Sequence, residues 1–151
     1  MAGSADKQFT VTRTFDAPRE AVWRAWTDAR ALHSWLNPRG VFTPLESIKS
    51  DLRVGGSYAY TLVVPNRGTF PTAGTFLEVQ PPERLRFSWG NPEDSEKHYP
   101  IITVDLVEID NKTELTFQMV GARDDRGQER SMYEGWDHAL SQLAQYLADH
   151  A

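Results

Sequence analysis

Residues 127–150, GQERSMYEGWDHALSQLAQYLADH, carry the clearest periodic pattern of the chain. Its apolar residues recur at steps of four, four, three and four, which is the spacing of one face of an α-helix. They are Met132, Trp136, Leu140, Leu143 and Leu147. A helix of roughly 20 residues is about 30 Å long, which is the width of a small domain. The stretch therefore predicts a long amphipathic helix that packs its apolar face on another element.

Most of the preceding chain alternates apolar and polar residues, a pattern typical of half-buried antiparallel strands. The predicted strands span 9–15, 46–53, 57–64, 70–80, 84–89, 102–109 and 115–119. Two short helices, ending near residues 27 and 36, follow the first strand, with Asp16 as the expected cap of the first and Pro18 in its first turn. This order predicts an α+β fold in which an antiparallel sheet of about six or seven strands curls around the long helix.

Four glycines mark positions where the backbone has a special task. Gly55 and Gly56 are adjacent and predict a tight turn. Gly74, inside a strand, predicts a bulge or a close approach of another segment. Gly135, inside the long helix, carries a helix-propensity cost of about 1 kcal/mol relative to Ala. Close approach to the sheet, or room for a ligand, would explain that glycine.

Composition narrows the class of protein. The 151 residues suggest one domain, predicted at 9–150 after a flexible tail at 1–8. The net charge of −5, without a basic block, argues against nucleic acid as a partner. There is no cysteine, no apolar run near the ~20 residues of a membrane span and no signal-peptide core. We therefore expect no membrane insertion, and a soluble protein in the cytoplasm.

Several segments together resemble the START-like (SRPBCC, helix-grip) superfamily, and most of all the family named for the C-terminal domain of the activator of the heat-shock chaperone ATPase. The segments that carry this resemblance are FDAPREAVWRAWTD (15–28), LHSWL (32–36), DLRVGGSYAY (51–60), GTFLEVQPPERLRFSW (74–89), TELTFQM (113–119) and EGWDHALSQLAQYL (134–147). The resemblance implies an elongated apolar cavity between the curved sheet and the C-terminal helix, with the two short helices sealing one end.

The strand parities agree, because inward-facing residues of the sheet stand opposite the apolar face of the long helix. The predicted ligand-binding residues are Trp35, Arg53, Tyr58, Tyr60, Glu78, Phe87, Trp89, Phe117, Met119, Met132, Trp136 and Leu140. Each aromatic residue among them could instead be ordinary core. As a set they carry many inward hydroxyl and indole groups, which need partners that a ligand or cavity water can supply.

Two charged positions have alternative interpretations. Arg53 either pairs with Asp51 on the surface and steadies the following turn, or reaches the cavity and binds a carboxylate. Glu78 lies either inside the cavity, with a raised pKa, or on the solvent face. The four histidines show no metal-ligand spacing, and no nucleotide or nucleophile motif is present, so we expect neither a metal nor another cofactor.

These observations lead to one preferred function and two alternatives. The preferred function is a non-catalytic domain, monomeric or weakly dimeric, that binds a small apolar or amphipathic molecule. The first alternative is an enzyme of the cyclase or hydrolase type, which needs an acid or base in the cavity; the candidates are Arg53, Glu78, Tyr60 and His33. The second alternative is a chaperone partner, which the family resemblance implies.

Overall fold

A computed structural model of the protein describes residues 7–36, 41–93, 95, 99–122 and 128–149, with the side chains of residues 7, 122 and 128–132 excepted. The strands are β1 (Lys7–Phe15), β2 (Lys49–Ser50), β3 (Ser57–Val64), β4 (Gly68–Gln80), β5 (Arg84–Ser88), β6 (Ile101–Ile109) and β7 (Lys112–Ala122). The helices are α1 (Arg19–Thr27), α2 (Ala29–Trp35) and α3 (Gln128–Asp149), and one turn of 3₁₀ helix spans Leu45–Ser47.

The seven strands form a single antiparallel sheet in the order β1-β7-β6-β5-β4-β3-β2. Its alternating residues send one apolar side chain in two towards the helices, as in β6, where Val104 and Leu106 are buried between more exposed neighbours. The three helices and this sheet make up the predicted α+β helix-grip fold, which the structure confirms.

The long C-terminal helix α3 packs its apolar stripe into the core. Leu140 and Leu143 are fully buried, and the ring of Trp136 lies 4.8 Å from that of Phe117 on β7, centroid to centroid. Arg13 on β1 pairs with the carboxylate of Asp137, which ties the edge strand to the helix. The predicted amphipathic pattern of this stretch is therefore confirmed for its described side chains.

Some predicted boundaries are wrong. β1 begins at Lys7, inside the predicted tail of residues 1–8, while residues 1–6 lie outside the described part of the chain. The N-cap of α1 is Pro18 and not Asp16, and the ring of Pro18 cannot accept a capping hydrogen bond. Of the predicted strand 46–53, only Lys49–Ser50 is strand, because the residues before it form a 3₁₀ turn and those after it enter a bend.

The two glycines with open interpretations differ. At Gly74 a Cβ atom would lie 1.9 Å from the carbonyl oxygen of Ser88, so the predicted close approach is confirmed. At Gly135 a Cβ atom would meet nothing within 4 Å among the described neighbours, so close approach to the sheet is wrong as an explanation there. That Gly135 leaves room for a ligand stays a prediction.

In the described part of the chain, no helix combines the length and the apolar character that crossing a bilayer requires.

Candidate ligand-binding cavity

A cavity of about 40 Å³ lies where α1, α2 and α3 meet the β2–β5 half of the sheet. Its lining residues come from all of these elements and from the segment before β2. They are Trp26, Leu32, Leu36, Ile48, Lys49, Ser50, Tyr58, Ala59, Tyr60, Phe76, Leu85, Phe87 and Trp136. The cavity therefore occupies the predicted place, between the sheet and the closing helix.

Aromatic rings form most of the wall on the sheet side. The ring of Tyr58 stacks beside that of Tyr60 at 6.1 Å and meets Phe87 edge-on at 5.5 Å. On the helix side, Trp26 stacks beside Trp136 at 6.0 Å with an angle of 17° between the ring planes. Such rings are large and rigid, so they present apolar surface to the cavity at low entropic cost.

The two tyrosine hydroxyls are fixed by hydrogen bonds to residues behind the wall. The hydroxyl of Tyr58 donates to the carbonyl oxygen of Ser88 at 2.6 Å. The indole N–H of Trp89 donates to the hydroxyl oxygen of Tyr60 at 2.8 Å. Trp89 is thus a positioning residue for Tyr60, and the hydroxyl hydrogen of Tyr60 has no acceptor among the residues that the structure describes.

Burial changes the acidity of both hydroxyls. Loss of hydration raises the pKa of Tyr58 well above its usual value, and the neighbouring Tyr60 and Tyr99 add to the effect. Burial likewise raises the pKa of Tyr60, against a smaller opposing effect of the hydrogen bond from Trp89. Both side chains are therefore neutral at physiological pH, and neither can act there as a general base.

Trp26 differs from Trp35 and Trp89, two other indoles near the cavity. Its Nε1 atom is buried and has no hydrogen-bond acceptor among the described residues, although the residue itself lines the cavity. Trp35, directly beside it, donates its indole N–H to the carbonyl oxygen of Ala25 at 2.7 Å. Since buried donors are nearly always paired in native proteins, the N–H of Trp26 is an unusual feature of this wall.

The mouth of the cavity lies at the short strand β2. Lys49 and Ser50 are exposed there, and Lys49 is the charged member of the described lining. This segment, residues 45–50, is held to β3 by a two-residue strand pairing and by the backbone N–H of Thr61, which donates to Ser47 Oγ at 3.2 Å. Directly after it, the backbone N–H of Asp51 donates to the carbonyl oxygen of Ser57 at 2.9 Å. This pairing is much shorter than that of β3 with β4, so this part of the wall is the easiest to displace.

The volume of the cavity is small for a binding site. About 40 Å³ is comparable to the ~30 Å³ share of one water in the liquid, whereas pockets for drug-sized ligands have volumes of roughly 300–1,000 Å³. The elongated cavity that was expected is thus largely filled by side chains in this conformation. A ligand larger than a few waters requires the wall to move outward.

The structure brings some of the twelve predicted site residues to the cavity and places others elsewhere. The four that line it are Tyr58, Tyr60, Phe87 and Trp136. Four more are fully buried in the core without lining it, namely Trp35, Phe117, Met119 and Leu140. The side chain of Met132 lies outside the described part of the chain. Trp89 lies outside the cavity lining, and its indole N–H donates a hydrogen bond to the hydroxyl of Tyr60.

For both charged candidates, the interpretation that they reach the cavity is wrong. Arg53 is 72% exposed and donates from Nε to Asp51 at 2.8 Å, which is the exposed ion pair of the alternative interpretation. Glu78 follows a register shift between Phe76 and Glu78, and its carboxylate lies near Arg84 on the outer face. The strand irregularity turns Glu78 away from the core.

Sequence reasoning missed the residues that complete the wall, including Trp26, Ile48, Phe76 and Leu85. Trp26 had a visible signal, because it lies four residues after Val22 on the apolar side of α1. Phe76 had one as well, because it lies two residues before the candidate Glu78 and would share its face in a regular strand. The register shift comes after Phe76, so Phe76 points inward and Glu78 does not.

The histidine candidate lies outside the cavity lining. His33 Nδ1 is 2.7 Å from the carbonyl oxygen of Thr43, and the ring meets Phe42 edge-on. Within the described ranges, no cluster of three or more histidine or carboxylate side chains could hold a metal ion.

Comparison with known proteins adds a family. A family model described as Activator of Hsp90 ATPase homolog 1-like protein matches residues 16–148. Among curated proteins, none matches the chain.

Solved structures from several bacteria share the fold. A crystal structure of a protein from Chromobacterium violaceum is 29% identical, with a TM-score of 0.82, and the match covers 93% of this chain and 97% of that one. For a Nitrosomonas europaea protein the identity is 22%, the TM-score 0.81 and the coverage 99% and 98%. For a Mycobacterium smegmatis protein the corresponding values are 22%, 0.78, 93% and 90%.

Proposed function

This chain belongs to the family of Activator of Hsp90 ATPase homolog 1-like proteins, and we propose that it is a non-catalytic domain that binds a small apolar or amphipathic molecule. The observation that carries the proposal is the apolar cavity between the sheet and the three helices, whose wall is built mainly from aromatic rings. Concave, mostly apolar sites with a few polar groups are the usual form of small-molecule sites.

Binding of anything larger than a few waters needs the cavity to widen. The β2 segment is the part of the wall that we expect to move, because its pairing with β3 is only two residues long. One side-chain hydrogen bond and the backbone hydrogen bond from Asp51 to Ser57 supplement this pairing. Ile48, directly before β2, is half-buried against the core and would move together with the β2 segment.

The positions of the acid–base candidates favour binding over catalysis. The carboxylate of Glu78 and the guanidinium of Arg53 lie on the surface, and His33 is outside the cavity lining. Tyr60 faces the cavity, but burial raises its pKa, so it is a poor general base at neutral pH. A cyclase or hydrolase role therefore has no supporting group among the candidates.

The proposal also covers the location, the oligomeric state and the partners of the protein. We place the protein in the cytoplasm, as a monomer or weak homodimer, since a chain without cysteine fits a reducing compartment. The chaperone-partner role stays a prediction from the family, because no feature of the described surface favours it. A pull-down with the purified chaperone is its direct test.

Thermal unfolding with a ligand panel tests the proposal. Benzene, indole, naphthalene and octanoate are added separately, and a ligand present at about 100 times its Kd adds about 2.7 kcal/mol to the free energy of unfolding. For a domain of this size that raises Tm by roughly 5–10 °C. A lack of any shift across the panel would overturn the proposal.

A matched pair of variants at the mouth of the cavity tests whether the ligands that raise Tm bind inside it. Ile48→Trp fills the cavity from the β2 segment, whereas Leu45→Trp adds the same bulk at an exposed residue of the same segment that does not line the cavity. We expect the first variant to lose the ligand-induced shift and the second to keep it. Equal shifts in the two variants would mean that the ligand binds elsewhere.

A further inference from the structure

If the cavity is a binding site as proposed above, its polar groups indicate which chemistry it recognises. Buried hydrogen-bond donors without an acceptor are the informative groups, because an acceptor atom of the ligand can pair with them. The indole N–H groups of Trp35 and Trp89 allow a comparison with that of Trp26. Trp35 donates to a carbonyl and Trp89 to a hydroxyl, whereas the N–H of Trp26 has no acceptor among the described residues.

The unpaired donor belongs to a residue of the cavity wall, and because its Nε1 atom is buried, a ligand oxygen reaches it once the wall has moved outward. Trp26 is 6% exposed and is held between Trp35, which meets it edge-on at 4.9 Å, and Trp136, which stacks beside it at 6.0 Å. These contacts fix the ring, so the direction of its N–H is also fixed. A pre-oriented donor favours a ligand whose acceptor atom lies at one defined point.

A second donor lies on the opposite wall. The hydroxyl oxygen of Tyr60 accepts from Trp89, which leaves the hydroxyl hydrogen for another acceptor. Because burial keeps this phenol protonated, it offers a donor throughout the physiological pH range. The sheet side and the helix side of the cavity thus both present N–H or O–H groups.

The charge of the ligand follows from what else lines the cavity. Among the described lining residues, Lys49 carries the charge, and it is exposed at the mouth. A carboxylate drawn into the interior would therefore lose its hydration without a buried counter-charge, which is unfavourable. A neutral acceptor loses much less on burial.

We propose that the cavity takes a small neutral molecule with an apolar body and a carbonyl oxygen, and that this oxygen accepts a hydrogen bond from Trp26 Nε1. The apolar body lies among the rings of Phe87, Tyr58 and Trp136. Tyr60 supplies the second donor to the same oxygen or to a neighbouring one.

Two probes of nearly equal shape test the proposal. Acetophenone carries the carbonyl oxygen, and α-methylstyrene replaces that oxygen with a methylene group. Each is titrated into ¹⁵N-labelled protein, and the five indole N–H signals are followed by NMR, one for each tryptophan of the chain. The Trp26 signal is assigned by its loss in Trp26→Phe.

We expect acetophenone to move the Trp26 signal downfield, as a new hydrogen bond does, and α-methylstyrene to leave it nearly in place. The Trp35 signal is the internal reference, because its N–H already has an acceptor. In Trp26→Phe, the affinity for acetophenone falls about threefold to tenfold while that for α-methylstyrene changes less than about twofold.

The outcomes separate this inference from the proposed function. If both probes raise Tm equally and the Trp26 signal does not respond to acetophenone, the cavity binds apolar molecules but the carbonyl proposal is overturned. If neither probe nor the earlier panel binds, the proposed function fails first. Should Trp26→Phe not fold, the titrations of the unaltered protein still decide, with Trp26 assigned from the remaining tryptophan variants.

Discussion

The two ends of the core differ in composition and in packing. At the β2–β5 end, tyrosine, tryptophan and phenylalanine rings surround a cavity, and the tyrosine hydroxyls form hydrogen bonds with residues outside the cavity lining. At the β6–β7 end, the ring of Phe117 lies beside mainly aliphatic side chains from the sheet and from α3, and these aliphatic side chains are not part of the cavity lining. They are Val104, Leu106, Leu115, Leu140 and Leu143, all of them between 0 and 3% exposed.

This difference separates two tasks within one apolar core. The aliphatic end fills its space with side chains that have no polar atoms, which is how a core maximises stability. The aromatic end contains polar atoms that need partners and leaves one N–H without any among the described residues. We infer that the aliphatic end holds the domain together, while the aromatic end accepts a weaker packing because a ligand completes it.

The largest expected effect comes from shortening one leucine at each end. Leu115 is 0% exposed and Leu85, on the cavity wall, is 2% exposed, so the two sites are matched in burial. We expect Leu115→Ala to lower the free energy of unfolding by about 2–5 kcal/mol. Leu85→Ala loses about 1 kcal/mol less, because one side of that leucine already faces a void and has fewer contacts to lose.

Urea unfolding followed by tryptophan fluorescence measures both losses, and an unchanged slope shows that the unfolding reaction itself is the same. Leu77→Ala is the control, since Leu77 is 41% exposed and its loss should stay within about 0.5 kcal/mol. Equal losses at Leu115 and Leu85 would contradict the division of the core into two ends.

The aromatic end should also weaken the protein at high pH. The folded-state pKa values of Tyr58 and Tyr60 lie above the ordinary value of 10.0, so the folded protein retains two protons that the unfolded chain releases. Stability from these groups is fully present below pH 10. It falls as the pH rises further, by up to about 1.4 kcal/mol per tyrosine and pH unit.

Tm measured between pH 8 and 11, in the unaltered protein and in Tyr60→Phe, checks this dependence. The variant lacks one of the two ionising groups, so its Tm should fall less steeply above pH 10. Ionisation of lysine side chains common to both proteins cancels in the comparison. Parallel curves would show that Tyr60 contributes nothing to the alkaline loss.

A smaller effect is expected from the hydrogen bond behind the wall. Tyr60→Phe removes the acceptor of the Trp89 indole N–H and leaves that half-buried donor unpaired, which costs about 1–2 kcal/mol at neutral pH. In a double-mutant cycle with Trp89→Phe, the second change should cost less once the hydroxyl is gone. Additive losses would mean that the two side chains do not stabilise each other.

The general architecture was predictable because it follows from residue periodicity. Steps of three and four placed Trp136, Leu140 and Leu143 on one helix face, and steps of two placed Tyr58 and Tyr60 on one strand face. All five are buried in the core. A period determines which face of an element is apolar, and a fold of one sheet and one long helix leaves few ways to cover these faces.

The site was predictable only in part, because its details depend on features without a period. The register shift beside Phe76 turned Glu78 outward, and two residues of strand at Lys49–Ser50 replaced a predicted strand of eight. The volume of the cavity depends on how completely facing side chains fill the space between the layers. Periodicity says that they face each other and not how closely they fit.

The smallest expected effect concerns Arg53, which was a candidate for binding a carboxylate. Its guanidinium is 72% exposed and pairs with Asp51 on the surface, so solvent screens the interaction. We expect Arg53→Ala to change the free energy of unfolding by less than about 0.5 kcal/mol and to leave the Tm shift caused by each panel ligand unaltered. Octanoate is the informative ligand, because it carries the carboxylate. If Arg53→Ala abolished the octanoate shift but kept the benzene shift, the ligand's polar end would lie at this turn, and the aromatic end of the core would extend to the surface.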